Sequence, residues 1–354
     1  DFGKSLGLET KTDAIQNVII KKPASPGMED RKTVILQSHL DMVHQKNSDT
    51  IFDFDTQGIE MIVDGDWVRA NGTTLGADNG IGVATIMAVL ASSEIKHPAI
   101  EAMFTIDEET GMTGAMQLDG SNFDGQILLN LDTEDDDELS IGCAGGIDSN
   151  TKYQYEQTAV EAGSVYLTIS IRGLLGGHSG MDIDKGRGNA NKLMNRILYH
   201  VLSLEKFQLI SIDGGSLRNA IPRESTAVIA VAKDDKVAVV KAIEEMAATL
   251  KEEYISIEKA LSIQISEEGE GATALTQDEL IKVLNVLYAV PNGVFRMSPD
   301  IEGLVETSSS LARVILKDGS FVTQSLQRSS VESTKSDVAN AIRSSFEVAG
   351  MSVV

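Results

Sequence analysis

Three short apolar runs in the first third of the chain each lead into a group that binds cations or moves protons. Val34-Ile-Leu-Gln37 runs into Ser38-His39-Leu40-Asp41, Ala102-Met-Phe-Thr-Ile106 into Asp107-Glu108-Glu109, and Ile127-Leu-Leu-Asn-Leu131 into Asp132. Apolar runs this short and this dense read as strands of a covered sheet. Between them, Ile81 to Leu90 carries the mixed apolar pattern of a helix packed on a sheet. Alternating strands and helices make the first part an α/β sheet, and in open α/β sheets ligands bind beyond the carboxyl ends of the strands. His39 and Asp41 are two apart and point to the same side of an extended chain. Asp78 sits in Gly76-Ala-Asp-Asn-Gly80, a glycine-bracketed turn just ahead of the helix pattern. One acid after a strand is an ordinary turn or cap residue. Acids recurring at corresponding strand ends have no such reason, and a shared site supplies one.

The pattern changes after about Ile147, which divides the chain into an α/β domain over 1–147 and a second domain over 148–354. Near Asp64-Gly65, alternation predicts a hairpin carrying a half-buried Trp67. Asp1 to Lys11 mix charge with isolated leucines, which predicts the tail of a helix begun upstream and not a signal peptide. In the second domain Val165, Leu167, Ile169 and Ile171 alternate with polar residues, a strand with one wet face. Helices are expected near Asn189–Leu204, Asp235–Tyr254, Thr276–Ala289 and Ser333–Val348, with a strand pair at Phe207–Asp213 and Ser225–Ala232. The order repeats, so the second domain reads as α+β, made of two similar units. The acidic run Asp132–Glu138 ends a strand and is not a tail.

Charge narrows the partners. With 30 basic and 53 acidic residues the net charge is −23, which opposes nucleic acid binding. No apolar stretch reaches membrane-spanning length, and one cysteine, Cys143, leaves no internal disulfide and fits a reducing, cytoplasmic setting. Rival chemistries fail on spacing. The run after Asp132 lacks the glycine and distal glutamate of a calcium loop, and there is no Cys-x-x-Cys pair, His-Glu-x-x-His helix or Gly-x-Ser-x-Gly elbow. Cys143 has no histidine near it in sequence to activate it, and His44, His97 and His200 fall in no catalytic motif.

Ser38-His-Leu-Asp41, Gly76-Ala-Asp-Asn-Gly80, Glu108-Glu-Thr-Gly-Met112 and Asp132 with Gly142-Cys-Ala-Gly-Gly146 resemble the aminoacylase and carboxypeptidase-like di-zinc peptidases. Within that clan the chain is most similar to aminoacyl-histidine (Xaa-His, carnosinase-type) dipeptidases. Leu174-Leu-Gly-Gly-His-Ser-Gly-Met-Asp182, Gly188-Asn-Ala-Asn-Lys192, Leu217-Arg-Asn-Ala-Ile-Pro-Arg-Glu224, Pro291-Asn-Gly-Val294 and Gly303-Leu-Val-Glu-Thr-Ser308 extend the match over nearly the whole chain. The resemblance implies an α/β catalytic domain with a di-metal site at the sheet edge and an inserted α+β lid and dimerisation domain. It implies two divalent ions, zinc first and cobalt or manganese as alternatives. Asp78 would bridge them, and His39, Asp132 and Glu109 would be divided between them. Asp41 would orient His39, Glu108 would act as general base, and His178 would stabilise the oxyanion from a partner subunit of a homodimer. Asn219 and Arg296 become candidates for the substrate's terminal carboxylate. The implied activity is hydrolysis of small peptides, Xaa-His dipeptides first. Aminoacylase, tripeptidase or Cys-Gly hydrolase activity, or a catalytically silent metal-binding role, are the alternatives. In the family a final metal-binding histidine lies near the carboxyl terminus. No histidine follows His200 here, so that ligand is expected beyond Val354, and the chain as written is expected to be inactive by itself.

Overall fold

β-branched and apolar residues at Val18–Lys22, Val34–His39 and Ile100–Thr105 build the interior of a five-stranded sheet in the computed structural model, which describes residues 1–46, 50–133, 139 and 142–354. Positions 134–138 of the acidic run lie outside the described residues. The chain divides into two compact units, Asp1–Ser140 and Ile141–Val354. The division falls a little before Ile147 because the strand Gly145–Gln154 pairs along its length with Ser320–Ser329 of the second unit.

In the first unit we number the strands β1 (Glu9–Thr12), β2 (Val18–Lys22), β3 (Val34–His39), β4 (Met61–Asp64), β5 (Trp67–Ala70), β6 (Ile100–Thr105) and β7 (Ile127–Asn130). The sheet order is β1-β2-β6-β3-β7. β3 runs parallel to both β6 and β7, while β2 is antiparallel to β6 and β1 to β2. The ends of β3, β6 and β7 therefore open on the same edge, and the residues that follow them are brought together. The helix Ala77–Ala91 packs its Ile86 and Leu90 with Ile20, Ile100, Ala102 and Phe104 to form the core.

Three local expectations change. Only Phe2–Ser5 is helical near the start, and Glu9–Thr12 is a strand, because the chain turns at Gly7 (φ +70°) and two threonines favour extended backbone. Trp67 is 78% exposed, since among the described residues β4 and β5 pair only with each other and no layer covers them. β7 is an edge strand, so Ile127, Leu128 and Leu129 are exposed, not covered on both faces.

The second unit carries two βαββαβ groups in one sheet. The first is Val165–Arg172, helix Ala190–Leu204, Gln208–Gly214, Ser225–Val231, helix Lys236–Glu253 and Ser262–Ser266. It is inserted into the second, which comprises Gly145–Gln154, helix Gln277–Ala289, Val305–Lys317, Ser320–Ser329, helix Glu332–Glu347 and a last bridge of Val353 to Thr151. The groups join where Ile212, Asp213 and Gly214 pair with Leu316, Ile315 and Val314. Strand order reads outward from that seam in the same way on both sides, which is the two-unit repeat legible in the sequence. The predicted apolar face of Lys236–Glu253 is buried at Val239, Ile243, Ala247 and Leu250.

Candidate metal centre

At the end of β3 the His39 ring is 1% exposed. Its Nδ1 lies 2.9 Å from the main-chain oxygen of Asp41. A carbonyl oxygen only accepts, so the proton belongs on Nδ1. Nε2 then faces carboxylates: Asp78 Oδ1 at 3.1 Å, Asp132 Oδ2 at 3.8 Å and Glu108 Oε2 at 3.9 Å. A neutral imidazole with its lone pair aimed at three acids is a repulsive arrangement that a cation relieves. The ligand atoms of His39, Glu108 and Glu109 lie within 4.8 Å of one another, as do those of His39, Asp78 and Asp132. Nitrogen with several carboxylates is a donor set suited to borderline divalent cations.

The local fold explains why these side chains converge. Asp78 and Asn79 open the helix Ala77–Ala91 with non-helical angles, and the peptide between them is cis. Asn79 is buried and its Nδ2 donates to the Leu131 carbonyl at 2.9 Å, tying the helix entry to the residue before Asp132. A Cβ at Gly82 would stand 2.2 Å from Asn79 Oδ1 and 2.4 Å from Ser38 Oγ, so only glycine lets the helix approach the end of β3 this closely. After β6, Asp107 (φ +56°) and Met112 (φ +53°) bound the bend that carries Glu108 and Glu109. The Asp41 carboxylate accepts the Glu108 N–H on Oδ1 and the Glu109 N–H on Oδ2, both at 3.1 Å. Its Oδ1 is also 3.4 Å from His39 Nδ1. Asp41 thus links the end of β3 to the loop after β6.

Crowding shows in the titrations. Burial pushes the Glu108 carboxyl above its usual range; His39 opposes this, and Asp132, Glu109 and Asp78 add to it. Burial and then Asp78 raise Glu109. Asp132 is raised by burial first, against a hydrogen bond from Asn79. For His39 burial is the largest influence and lowers the pKa, but the Asp78 hydrogen bond with the Asp132, Glu108 and Asp41 charges outweighs it, so the net shift is upward. All four groups hold their protons more tightly folded than unfolded. Each therefore stabilises the metal-free fold below its unfolded pKa, about 4 for the acids and about 6.5 for histidine, and loses that stabilisation as pH rises through the higher folded value. The Glu108→Gln, Asp132→Asn double variant lacks two of these titrations and two of the charges that raise His39, and both differences act in the same direction on the comparison. In chelator, the wild type is expected to lose ground against this variant between pH 5 and pH 8 in denaturant melts. A wild type that gains on the variant over that range would contradict the assignment.

The second unit gathers its own cluster. Gly177–His178 pairs with Ala220–Ile221, and Ser179 N–H donates to the Asn219 carbonyl at 2.8 Å, so Asn219 adjoins His178. Asp182 Oδ2 accepts the His178 main-chain N–H at 2.8 Å, and its Oδ1 pairs with Arg187 at 3.0 Å. His178 Nδ1 accepts the Met181 N–H at 3.2 Å, and Arg328 Nη2, on Ser320–Ser329, lies 3.3 Å from Nε2. A guanidinium only donates, so both ring nitrogens face donors. Arg328 is partly buried, which lowers its pKa, and its Nε has no hydrogen-bond partner among the described residues. Arg296 instead meets Glu306 at 3.4 Å on the strand Gly293–Met297. Sequence reasoning missed Arg328 because nothing around it in the sequence marks it; its only signal is an arginine inside an alternating strand.

Residues 169–258 match the family model described as a peptidase dimerisation domain. The chain is 44% identical over 354 residues to the cytosol non-specific dipeptidase of Escherichia coli (strain K12), covering 99% of this chain and 72% of that protein. The crystal structure of aminoacylhistidine dipeptidase from Vibrio alginolyticus is similar with a TM-score of 0.76 and 43% identity, covering 100% of this chain and 72% of that one.

Proposed function

This chain belongs to the M20 metallopeptidase family, and from that premise we propose that it is a metal-dependent dipeptidase acting on unblocked dipeptides, with histidine favoured as the second residue. The observation that carries the reading is His39, its Nδ1 committed to a carbonyl oxygen and its Nε2 ringed by Asp78, Asp132 and Glu108. A catalytically silent binding protein would not need a general base, the role Glu108 takes beside the His39 cluster.

His39, Asp78, Glu109 and Asp132 fit as the residues that would hold two divalent cations, zinc first, with cobalt or manganese as alternatives. Bound there, the cations supply Lewis acidity that polarises a scissile carbonyl and makes water easier to deprotonate. Glu108 takes a proton from the attacking water and returns it to the amine that leaves as the C–N bond breaks. Asp41 keeps the His39 ring and the Glu108 loop in register. The second unit acts as lid and dimerisation domain of a homodimer, and its His178 donates a hydrogen bond to the oxyanion in the partner subunit's site. Asn219 and a guanidinium hold the substrate's terminal carboxylate; Arg328, beside His178 with an unsatisfied Nε, is better placed than Arg296, which is engaged by Glu306. The setting is cytoplasmic, in keeping with one exposed cysteine; among the described residues no helix is long and apolar enough to cross a membrane.

A substrate panel tests this. Metal-loaded full-length protein is offered Xaa-His dipeptides, other dipeptides including Cys-Gly, tripeptides and N-acetyl amino acids. Dipeptides should be cleaved and blocked amino acids should not, with kcat/KM for Xaa-His above other dipeptides by about tenfold, the size a few pocket contacts supply. Equal rates across dipeptides would remove the histidine preference, and faster release from N-acetyl amino acids would make the protein an aminoacylase.

A further inference from the structure

Asn17, on the turn before β2, is fully buried, and its side chain reaches far along the chain. Its Oδ1 accepts the Ile106 N–H at 3.2 Å. Its Nδ2 donates to the Gly114 carbonyl at 2.9 Å and to Asp13 Oδ2 at 2.9 Å. Ile106 and Gly114 are the two ends of the loop that carries Glu108 and Glu109, and the Gly114 N–H already closes that loop on the Ile106 carbonyl at 3.1 Å. The amide adds a bond on each side of this closure.

The β1–β2 turn does not require that amide. Asp13 closes the turn by itself: its N–H donates to the Asn17 carbonyl at 3.0 Å, and its Oδ1 accepts the N–H groups of Asn17 at 2.8 Å and Ile15 at 3.0 Å. What remains for the Asn17 side chain is the loop. The packing is built around it, since a Cβ at Gly114 would lie 2.4 Å from Asn17 Oδ1 and 2.6 Å from the Ile106 carbonyl oxygen. Within the loop Asp107 accepts from the Thr110 and Thr113 hydroxyls, which holds the bend's shape but does not tie it to the sheet. Three ties do that: Asp41 at the tip, through the Glu108 and Glu109 amides, the Val43 main chain at the Glu109 carboxyl, and Asn17 at the base.

We propose that Asn17 is a positioning residue that holds Glu108 and Glu109 at the His39 cluster by tying both ends of the Ile106–Gly114 loop to the turn before β2. It touches neither cation nor substrate, and the proposal rests on the reading of Glu108 and Glu109 given above. A loop whose base is closed only by the Gly114–Ile106 main-chain bond still forms but wanders, and misplacement by an ångström is enough to cost a general base much of its effect.

The test compares Asn17→Ala with Glu101→Gln in the metal-loaded protein. Glu101 is a buried carboxylate of β6 that accepts the Asp124 and Gly125 N–H groups and pairs with Lys21 at 2.7 Å, so its loss costs the same unit stability without touching the loop. In Asn17→Ala, amide exchange at 106–114 should rise about tenfold above Glu101→Gln, and cation affinity should fall about tenfold. kcat should fall roughly 10- to 100-fold with KM within about twofold. Exchange at 106–114 that rises no more than in Glu101→Gln overturns the proposal. Asn17→Asp keeps the shape and the acceptor for Ile106 but loses the donor to both Gly114 and Asp13 and sets a buried oxygen against those two acceptors. It should show changes at least as large as Asn17→Ala, and an Asn17→Asp protein matching wild type in exchange, affinity and kcat also overturns the proposal. Glu108→Gln run alongside separates the two layers: if it stays active the underlying reading fails, whereas if it is dead and Asn17→Ala behaves as Glu101→Gln, the positioning role alone fails.

Discussion

Glu108→Gln is expected to lose about 100- to 10,000-fold in kcat while keeping its divalent cations. Glutamine preserves the side chain's shape and the main-chain N–H bond to Asp41. It cannot accept a proton, so the loss falls on chemistry and not on the site's architecture. Glu109→Gln should behave differently. Its carboxylate lies with His39 and Glu108 in one of the two ligand groups, and an amide is a poorer cation ligand, so occupancy should drop first and activity with it. Excess metal should recover part of the Glu109→Gln activity and none of the Glu108→Gln activity. The measurement is metal content by elemental analysis beside kcat at rising cation concentration. Two variants with matching metal content and matching response to added cation would end the division of labour between these neighbours.

How far the sequence could be read follows from which forces are local. The gathering of His39, Glu108, Glu109 and Asp132 was legible because the apolar runs before them are strand signals and parallel strands end on one edge, and that of Asp78 because its glycine-bracketed turn opens a helix packed on that sheet. Asp41 was visible through its spacing from His39. The helices of the second unit were visible because their apolar faces recur every three or four residues, as at Val239, Ile243 and Leu250. What stayed hidden depends on contacts made far along the chain. Asn17 bonds residues 89 and 97 positions away, and in the sequence it is one more polar residue in a turn. Arg328 gains meaning only when its strand passes the His178 loop. The exposure of Trp67 and of β7 depends on which elements lie over them, and composition does not encode that. The repeat in the second unit was legible as an order of elements, while the seam joining Ile212–Gly214 to Val314–Leu316 was not.

A mixture of Glu108→Gln and His178→Ala subunits should recover about a quarter of wild-type activity, although each variant alone is nearly inactive. The arithmetic follows from a symmetric dimer in which each site takes its base from one chain and its imidazole from the other. In a mixed dimer one site has both defects and the other has neither. Random pairing at equal amounts makes about half of the dimers mixed, each with one working site in two. The single His178→Ala loss should be about 100- to 1,000-fold in kcat, as for other lost oxyanion donors, with KM changed much less. The ring is held between the Met181 N–H at Nδ1 and Arg328 Nη2 beside Nε2. The matched dimerisation segment, 169–258, includes His178, which puts the imidazole in the part of the chain expected to face a second copy. If His178 served its own subunit's site, every mixed dimer would carry one site lacking Glu108 and one lacking His178, and nothing would be recovered. Heterodimers purified through two different tags therefore decide between the arrangements: half of wild-type activity per dimer supports delivery in trans, and activity no higher than the single variants refutes it.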